Sequence, residues 1–271
     1  MVIEPYYHDE KYGLTIYHGD CLEIMPILPD KSIDMILCDL PYGTTACKWD
    51  TIIPFAPLWK EYKRLIKDNG AIVLTASQPF TSALVMSNPG WFRYEWIWVK
   101  NKPTGAFNSK TMPMRKHENI IVFYDKIPVF NGQKIKRTEK EYKQMFRIND
   151  TIYGTQDGIY GAQDRNKKRI RKSAIEQWYK NPESVLTFNR DEKRDGTNHP
   201  TQKPVALFEY LIRTYTNEGD LVLDNCAGSG TTAVACVNTN RKGILIEKEE
   251  KYVEIAVKRL QQDVFQWDGG K

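Results

Sequence analysis

LVLDNCAGSGTTAVACV, residues 221–237, reads as a short apolar strand, a carboxylate, a glycine turn, and a helix beginning near Thr231. Gly228-x-Gly230-x-x-Ala233 has the spacing of a nucleotide-binding turn in its alanine-ended form. Glycines let the backbone turn tightly and approach a ligand, and the N–H groups that open the helix are free to meet it. A phosphate-binding P-loop is excluded, because Thr232 stands where that loop needs a lysine. Asp224 ends this strand, and Glu247 ends the next apolar run, KGILIE. A carboxylate after the second strand is where a ribose diol is hydrogen-bonded. Taken alone, Glu247 also reads as a surface acid opening EKEEKY. The combination points to a bound cofactor that contains adenosine.

Working outward, six further apolar runs rich in β-branched residues read as buried strands: LTIYHG, IDMILCD, AIVLTAS, YEWIWV, NIIVFY and KGILIE. Helical patterns separate several of them. Residues 54–68 place Phe55, Leu58, Tyr62 and Leu65 on one face, residues 204–216 open with a proline, and residues 249–263 lie near the end of the chain. Strands alternating with helices predict an α/β fold with one doubly wound, mostly parallel sheet of seven strands, Rossmann-like in outline.

The stretch from 126 to 195 breaks that rhythm, and it is read as an insertion between residues 1–125 and 196–271, which share the sheet. Between Lys134 and Lys172 there are twelve Lys/Arg against five Asp/Glu, interleaved with Tyr142, Phe146, Tyr153 and Tyr160. RNKKRIRK at 165–172 is the densest part. A solvated charged face explains such a run. Cations alternating with aromatics also suit a nucleic acid, through backbone neutralisation and base stacking.

The bulk properties narrow the classes. The 271 residues are 41% hydrophobic, with a formal charge of +5 and a pI of about 8.8, too mild to demand a polyanion by itself. No run approaches the length of a membrane span. MVIEPYYHDEKYGL is acidic and lacks the apolar core of a signal peptide. The five cysteines, Cys21, Cys38, Cys47, Cys226 and Cys236, are odd in number and form no C-x-x-C pair, so neither a zinc site nor a disulfide framework is expected. A reduced, cytoplasmic protein without a metal is the expectation.

DLPYG, residues 39–43, closes the run SIDMILCD on a carboxylate, a proline and a tyrosine. It resembles the D-P-P-Y catalytic motif of amino-group methyltransferases. DNCAGSGTT resembles their cofactor-binding turn, often D-P-F-x-G-S-G-T-T, and NHPTQKPVALFEYLI resembles the segment that opens the preceding helix. With the catalytic motif first and the cofactor turn last, the order is that of the β group of DNA N6-adenine and N4-cytosine methyltransferases. The resemblance covers most of the chain outside 126–195.

That resemblance implies a Rossmann-like methyltransferase fold, S-adenosylmethionine as cofactor and double-stranded DNA as substrate. An exocyclic amine is a weak nucleophile, because its lone pair delocalises into the ring. Asp39 and the Leu40 carbonyl would accept its two hydrogens and favour the charge that develops on nitrogen. Pro41 would fix the turn without a competing N–H, and Tyr42 would stack against a base flipped from the duplex. For the cofactor, the matching positions are Asp20 with Cys21 beside it, Asp39, Thr201 and Lys203 of HPTQKP, Glu247, and Asp224, Asn225, Ala227, Gly228, Ser229, Gly230 and Thr231 of the turn. Asp20 also reads as a helix cap, and Lys203 as a solvated lysine before a proline. Lys167, Lys168, Arg169 and Arg171 are the expected DNA contacts, within an inserted target-recognition region. Trp49 and Asp50 either close over the base or pack their own loop. His117 and His199 are read as structural. Leu40 replaces the family's first proline, and Asn225-Cys226 replaces its Pro-Phe.

A cytosine-C5 enzyme is disfavoured, since no cysteine follows a proline. An NAD oxidoreductase leaves DLPYG and the insertion unexplained. RNA or protein-amide methylation could use a similar tetrad, and a non-enzymatic DNA-binding module would not need Asp39, Tyr42 and Asp224. A leading aspartate favours adenine N6 as the target, with cytosine N4 as the alternative. The recognition sequence and any partner restriction enzyme are not legible, and the oligomeric state is left open, a homodimer included.

Overall fold

Along one strand, β3 (Ile33–Asp39), Met35 and Leu37 join one hydrophobic cluster while Ile36 and Cys38 join another. Period-two alternation turns successive side chains to opposite faces, so a strand with a continuous apolar run, here Met35–Cys38, must be covered on both. A computed structural model of the chain describes residues 3–44, 50–142, 144, 178–189 and 202–267, with side chains through 261.

The strands in chain order are β1 (Tyr7–Asp9), β2 (Leu14–His18), β3, β4 (Ile66–Ala76), β5 (Phe92–Thr104), β6 (Arg115–Phe123), β7 (Ile135–Lys136), β8 (Tyr179–Lys180), β9 (Val185–Thr187), β10 (Leu221–Asp224) and β11 (Lys242–Glu247). The helices are α1 (Cys21–Ile24), α2 (Phe55–Leu65), α3 (Phe80–Ser87), α4 (Val205–Tyr215), α5 (Thr231–Asn238) and α6 (Glu250–Trp267). Nine strands form one sheet in the order β1-β2-β11-β10-β3-β4-β6-β5-β9. Its centre, from β2 to β4, is parallel. β6 runs antiparallel to both β4 and β5. Leu207 and Leu211 of α4, Val234 of α5, and Val253 and Leu260 of α6 cover one face. Ile24 of α1, Leu58 and Tyr62 of α2, and Phe80 and Leu84 of α3 cover the other.

The expected α/β, doubly wound, mostly parallel sheet is therefore present, with one correction to its size. All seven expected strands occur, and β1 and β9 extend the sheet to nine. Each has three residues, too few for a periodic signal, and each is defined by a neighbour's free edge. A second difference lies at the end of α2. The helical pattern continues to residue 68, but the helix stops at Leu65 and Ile66 is extended. Ile66 is buried and pairs with Ile33. At Gly70 a Cβ would stand 2.7 Å from the Asp34 carbonyl oxygen, so the strand passes too close to β3 for any other residue.

The chain divides into two units, residues 1–131 with 184–271, and Gly132–Glu183. The second lies inside the interval 126–195. Val129 and Asn131 donate backbone hydrogen bonds to Asn69 and Thr214 of the first unit, and β9 pairs with β5. Within the second unit β7 pairs with β8, and the rings of Tyr142 and Trp178 stack at 3.9 Å. No helix among the described residues is long and apolar enough to cross a membrane.

Candidate active site at the sheet switch point

β3 and β10 are parallel neighbours whose continuations diverge. β3 leads through α2 to β4 on one side, and β10 leads through α5 to β11 on the other. Where the strand order reverses in this way, a crevice opens beyond the carboxyl ends. Asp39 and Asp224 end these two strands, and both line a cavity of about 380 Å³.

Asp39 is held by three elements. Tyr42 donates its hydroxyl to Oδ1 at 2.7 Å, Thr75 of β4 donates to the same oxygen, and Lys203 Nζ donates to Oδ2 at 2.8 Å. The Tyr42 hydroxyl also lies 2.9 Å from Thr75 Oγ1. Sheet register places Thr75 directly opposite Asp39. A carboxylate offers about four acceptor sites, so three donors leave one to face the cavity. The Tyr42 ring stacks on Phe80 at 5.3 Å. Burial, then the charges of Asp39 and Glu118, keeps the Tyr42 hydroxyl well above its ordinary pKa, so it remains a donor.

Lys203 is buried. Its ammonium pairs with Asp39 and, at 3.2 Å, with Glu118 of β6. Glu118 pairs in turn with the buried Lys100 of β5 at 3.1 Å. Burial alone would discharge Lys203, but the two carboxylates outweigh it and hold its pKa above the ordinary value. A buried ammonium needs such counter-charges. The side chain read as holding the cofactor is thus committed to Asp39.

At the glycine turn, Asp224 spends its carboxylate locally. Oδ1 accepts from the Cys226 amide at 3.1 Å, and Oδ2 accepts from the Thr232 hydroxyl. Burial raises its pKa to about 7. Glu247 accepts from the Gly228 amide and the Glu249 amide, both at 2.8 Å, and burial raises its pKa as well. Asp20 is the N-cap of α1 and accepts from Leu22. Burial opposes its ionisation, but the Leu22 amide and Lys248 outweigh it and lower its pKa.

The two glycines differ. Gly228 (φ 52°) has open space where a Cβ would stand, and it lines the cavity. Gly230 (φ 80°) faces α6 instead: a Cβ there would lie 2.7 Å from Ala256 Cβ. Gly230 is therefore absent from the cavity wall, and its close approach is to a helix.

Of the other expected site residues, Asp20, Cys21, Leu40, Pro41, Tyr42, Lys203, Asn225, Ala227, Gly228, Ser229, Thr231 and Glu247 share this cavity with Asp39 and Asp224. Thr201, Lys167, Lys168, Arg169, Arg171, Trp49 and His199 lie outside the described residues. Asp50 is buried and accepts from the Gly43 and Thr44 amides at 2.8 and 2.9 Å, so it staples the turn after Tyr42. His117 is exposed on β6.

Cys226 touches Cys21 and Cys38. Its bond with Cys226, then burial, raises the Cys21 pKa, and burial pushes Cys38 up to about 12. These thiols stay protonated and fill space beside Asn225, whose side-chain oxygen accepts from Tyr62 at 2.5 Å. The motifs do not reveal Thr75, Glu118 or Lys100. The only sequence signal is polar residues at the ends of apolar strands, which usually means exposure.

The family model described as DNA methylase matches residues 33–258. The chain belongs to that DNA methylase family. It is 27% identical over 297 residues to the type II methyltransferase M2.MboI of Moraxella bovis, covering 97% of this chain and 93% of that one. It is 28% identical over 269 residues to the DNA adenine methyltransferase YhdJ of Escherichia coli, covering 91% and 82%. Among solved structures, the M1.HpyAVI–SAM complex superposes with a TM-score of 0.58 at 26% identity, covering 91% of this chain and 98% of that one.

Proposed function

We propose that this chain transfers a methyl group from S-adenosylmethionine to the N6 amine of adenine in double-stranded DNA, on a base extruded from the duplex. The observation that carries the proposal is the cavity itself, with the Asp39 carboxylate at one strand end and the glycine turn at the next. The relative named as a DNA adenine methyltransferase and the leading aspartate favour adenine N6 over cytosine N4.

The residues present fit the cofactor. Gly228 leaves open a space that any side chain would fill, and the carboxylates of Asp20 and Glu247 lie on the same wall as acceptors for an adenosine's hydroxyl and amino groups. Those residues, Cys21, the Asn225–Ser229 backbone and Thr231 would hold it, with Asp224 keeping the turn in shape. When bound, the cofactor supplies an electrophilic methyl on a sulfonium. Asp39 uses its remaining acceptor site for one amine hydrogen, and the Leu40 carbonyl takes the other. Both orient the nitrogen lone pair and favour the positive charge that grows on it. Tyr42, Thr75 and Lys203 keep the Asp39 carboxyl from rotating away. The ring of Tyr42, backed by Phe80, supplies a stacking face for the base.

Residues 126–195 are proposed as the target-recognition region, with Lys167, Lys168, Arg169 and Arg171 on phosphates. Neutralising all four should flatten the salt dependence of DNA binding by about 0.9 in log–log slope per lost contact. The chain would act in the cytoplasm, alone or as a homodimer. Incubation of plasmid DNA with the protein and S-adenosylmethionine, followed by sequencing that detects modified bases, tests the function. N6-methyladenine at one short site is expected. N4-methylcytosine, or no modification, overturns the assignment.

A further inference from the structure

The hairpin joining β5 to β6 has a composition unlike the rest of the sheet. Residues 101–117, NKPTGAFNSKTMPMRKH, contain Lys102, Lys110, Arg115 and Lys116 and no acid. Every residue but Thr104 is exposed, and none of the four cations forms an ion pair among the described residues. At the tip, Phe107 is fully exposed. Met112 and Met114 are exposed beside it in sequence. A bare phenyl ring and two methionines in water are unfavourable unless something covers them.

Register places this finger relative to the chemistry. Asp39 is opposite Thr75, Thr75 opposite Ile120, and Ile120 opposite Trp96. β5 runs in the direction of β3, so residues 101–117 lie beyond the level of Asp39, on the edge where the cavity opens. The root is tied to that carboxylate through Glu118 and Lys203. The tip is preformed. Gly105 turns the chain at φ 90°, and Asn108, Ser109, Thr111 and Met112 donate backbone hydrogen bonds within the turn at 3.0–3.1 Å.

We infer that this hairpin grips the duplex beside the target and that Phe107 enters the base stack, filling the space an extruded adenine leaves. The inference rests on the proposed DNA methylation. Cations without neighbouring acids match a phosphate backbone. An apolar side chain presented on a short ordered turn is what wedges between base steps, and a wedge lowers the cost of holding a base outside its stack.

The test uses the full chain and a duplex carrying the site that modification sequencing identifies. Phe107→Ala should lower kcat/KM on the matched duplex by about tenfold, equivalent to the loss of roughly 1.4 kcal/mol. The loss should largely vanish on a duplex whose target adenine faces an abasic position, because that base is already easier to extrude. Phe107→Trp should keep most of the activity, and affinity for S-adenosylmethionine by calorimetry should match the parent in both variants. An equal loss on the two duplexes, or no loss, overturns the wedge while leaving the methylation reading intact. A parent dimer that Phe107→Ala dissociates without changing catalysis also overturns it, since the ring would then cover a second copy of this chain. A parent inactive on every DNA removes the function and this inference together.

Discussion

Asp39 and Asp224 close neighbouring parallel strands and line one cavity, yet their surroundings differ in kind. Asp39 keeps 27% of its side-chain surface exposed and is bonded by Tyr42, Thr75 and Lys203, two of which come from elsewhere in the fold. Asp224 is 3% exposed and bonded chiefly within the next eight residues, to Cys226 and Thr232, with the Cys38 thiol of β3 as a further donor. A carboxylate gripped from several elements is aimed, with an acceptor site left over. One that is almost wholly buried and bonded chiefly in its own turn holds that turn in shape. The difference also shows in charge: Lys203 stands against Asp39, whereas no cation pairs with Asp224 among the described residues, and burial raises its pKa to about 7.

The largest effect separating the two should come from Asp39→Ala. Methyl transfer should fall by about two orders of magnitude or more, because a charged hydrogen bond worth roughly 1.5–3 kcal/mol is lost together with orientation of the amine. Affinity for S-adenosylmethionine should stay within several-fold of the parent. Labelled methyl transfer with calorimetry on the same preparation checks both, and near-normal turnover would remove Asp39 from the mechanism.

Next comes the turn that Asp224 supports. Gly230→Val should cost roughly 2–4 kcal/mol of stability, from left-handed backbone strain and a clash with Ala256. Gly228→Ala should cost about 1 kcal/mol yet weaken cofactor binding more per degree of lost melting temperature. Thermal denaturation alongside calorimetry distinguishes them. If Gly230→Val weakened binding in a fully stable protein, the assignment of the two glycines would be reversed.

A further effect should appear in the pH dependence of stability. The folded pKa of Asp224, about 7, exceeds its unfolded value of 3.8, so the folded state holds this proton more tightly. Its contribution is therefore greatest at low pH and is lost as pH rises from about 4 to about 7. Asp224→Asn carries no titrating proton, so its melting temperature should gain on the parent's across that window, even though the amide pairs less well with the Thr232 hydroxyl. Parallel melting curves would contradict the raised pKa.

The smallest change expected is Tyr42→Phe. It removes one donor to Asp39, worth about 0.5–1.5 kcal/mol, but leaves the ring on Phe80 and the Thr75 and Lys203 bonds in place. Activity should drop several-fold, and Tyr42→Ala should lose far more. Equal losses would shift the role of Tyr42 from its ring to its hydroxyl.

The local parts of this molecule were legible. Seven strands announce themselves as apolar runs because both faces of the central sheet are buried. The glycine turn announces itself because φ 52° and φ 80° at Gly228 and Gly230 tolerate little else. DLPYG carries its chemistry in five consecutive residues. Strands of three residues, the early end of α2 and the orientation of each glycine were not legible, since each depends on what packs against it.

The sequence by itself therefore determined the class of fold, the family and the two strand ends between which the site lies, because those rest on local patterning and contiguous motifs. Only the tertiary structure decided what the charges do. Lys203 reaches Asp39 across 164 positions, and Glu118 links Lys203 to Lys100 from the adjacent strand. Thr75 meets Asp39 through parallel register. Each of these side chains, read in its own segment, is an ordinary polar residue beside an apolar run. Removing them from water made the pairings obligatory, and which groups share a dry interior is fixed by sheet order, a property of the whole chain.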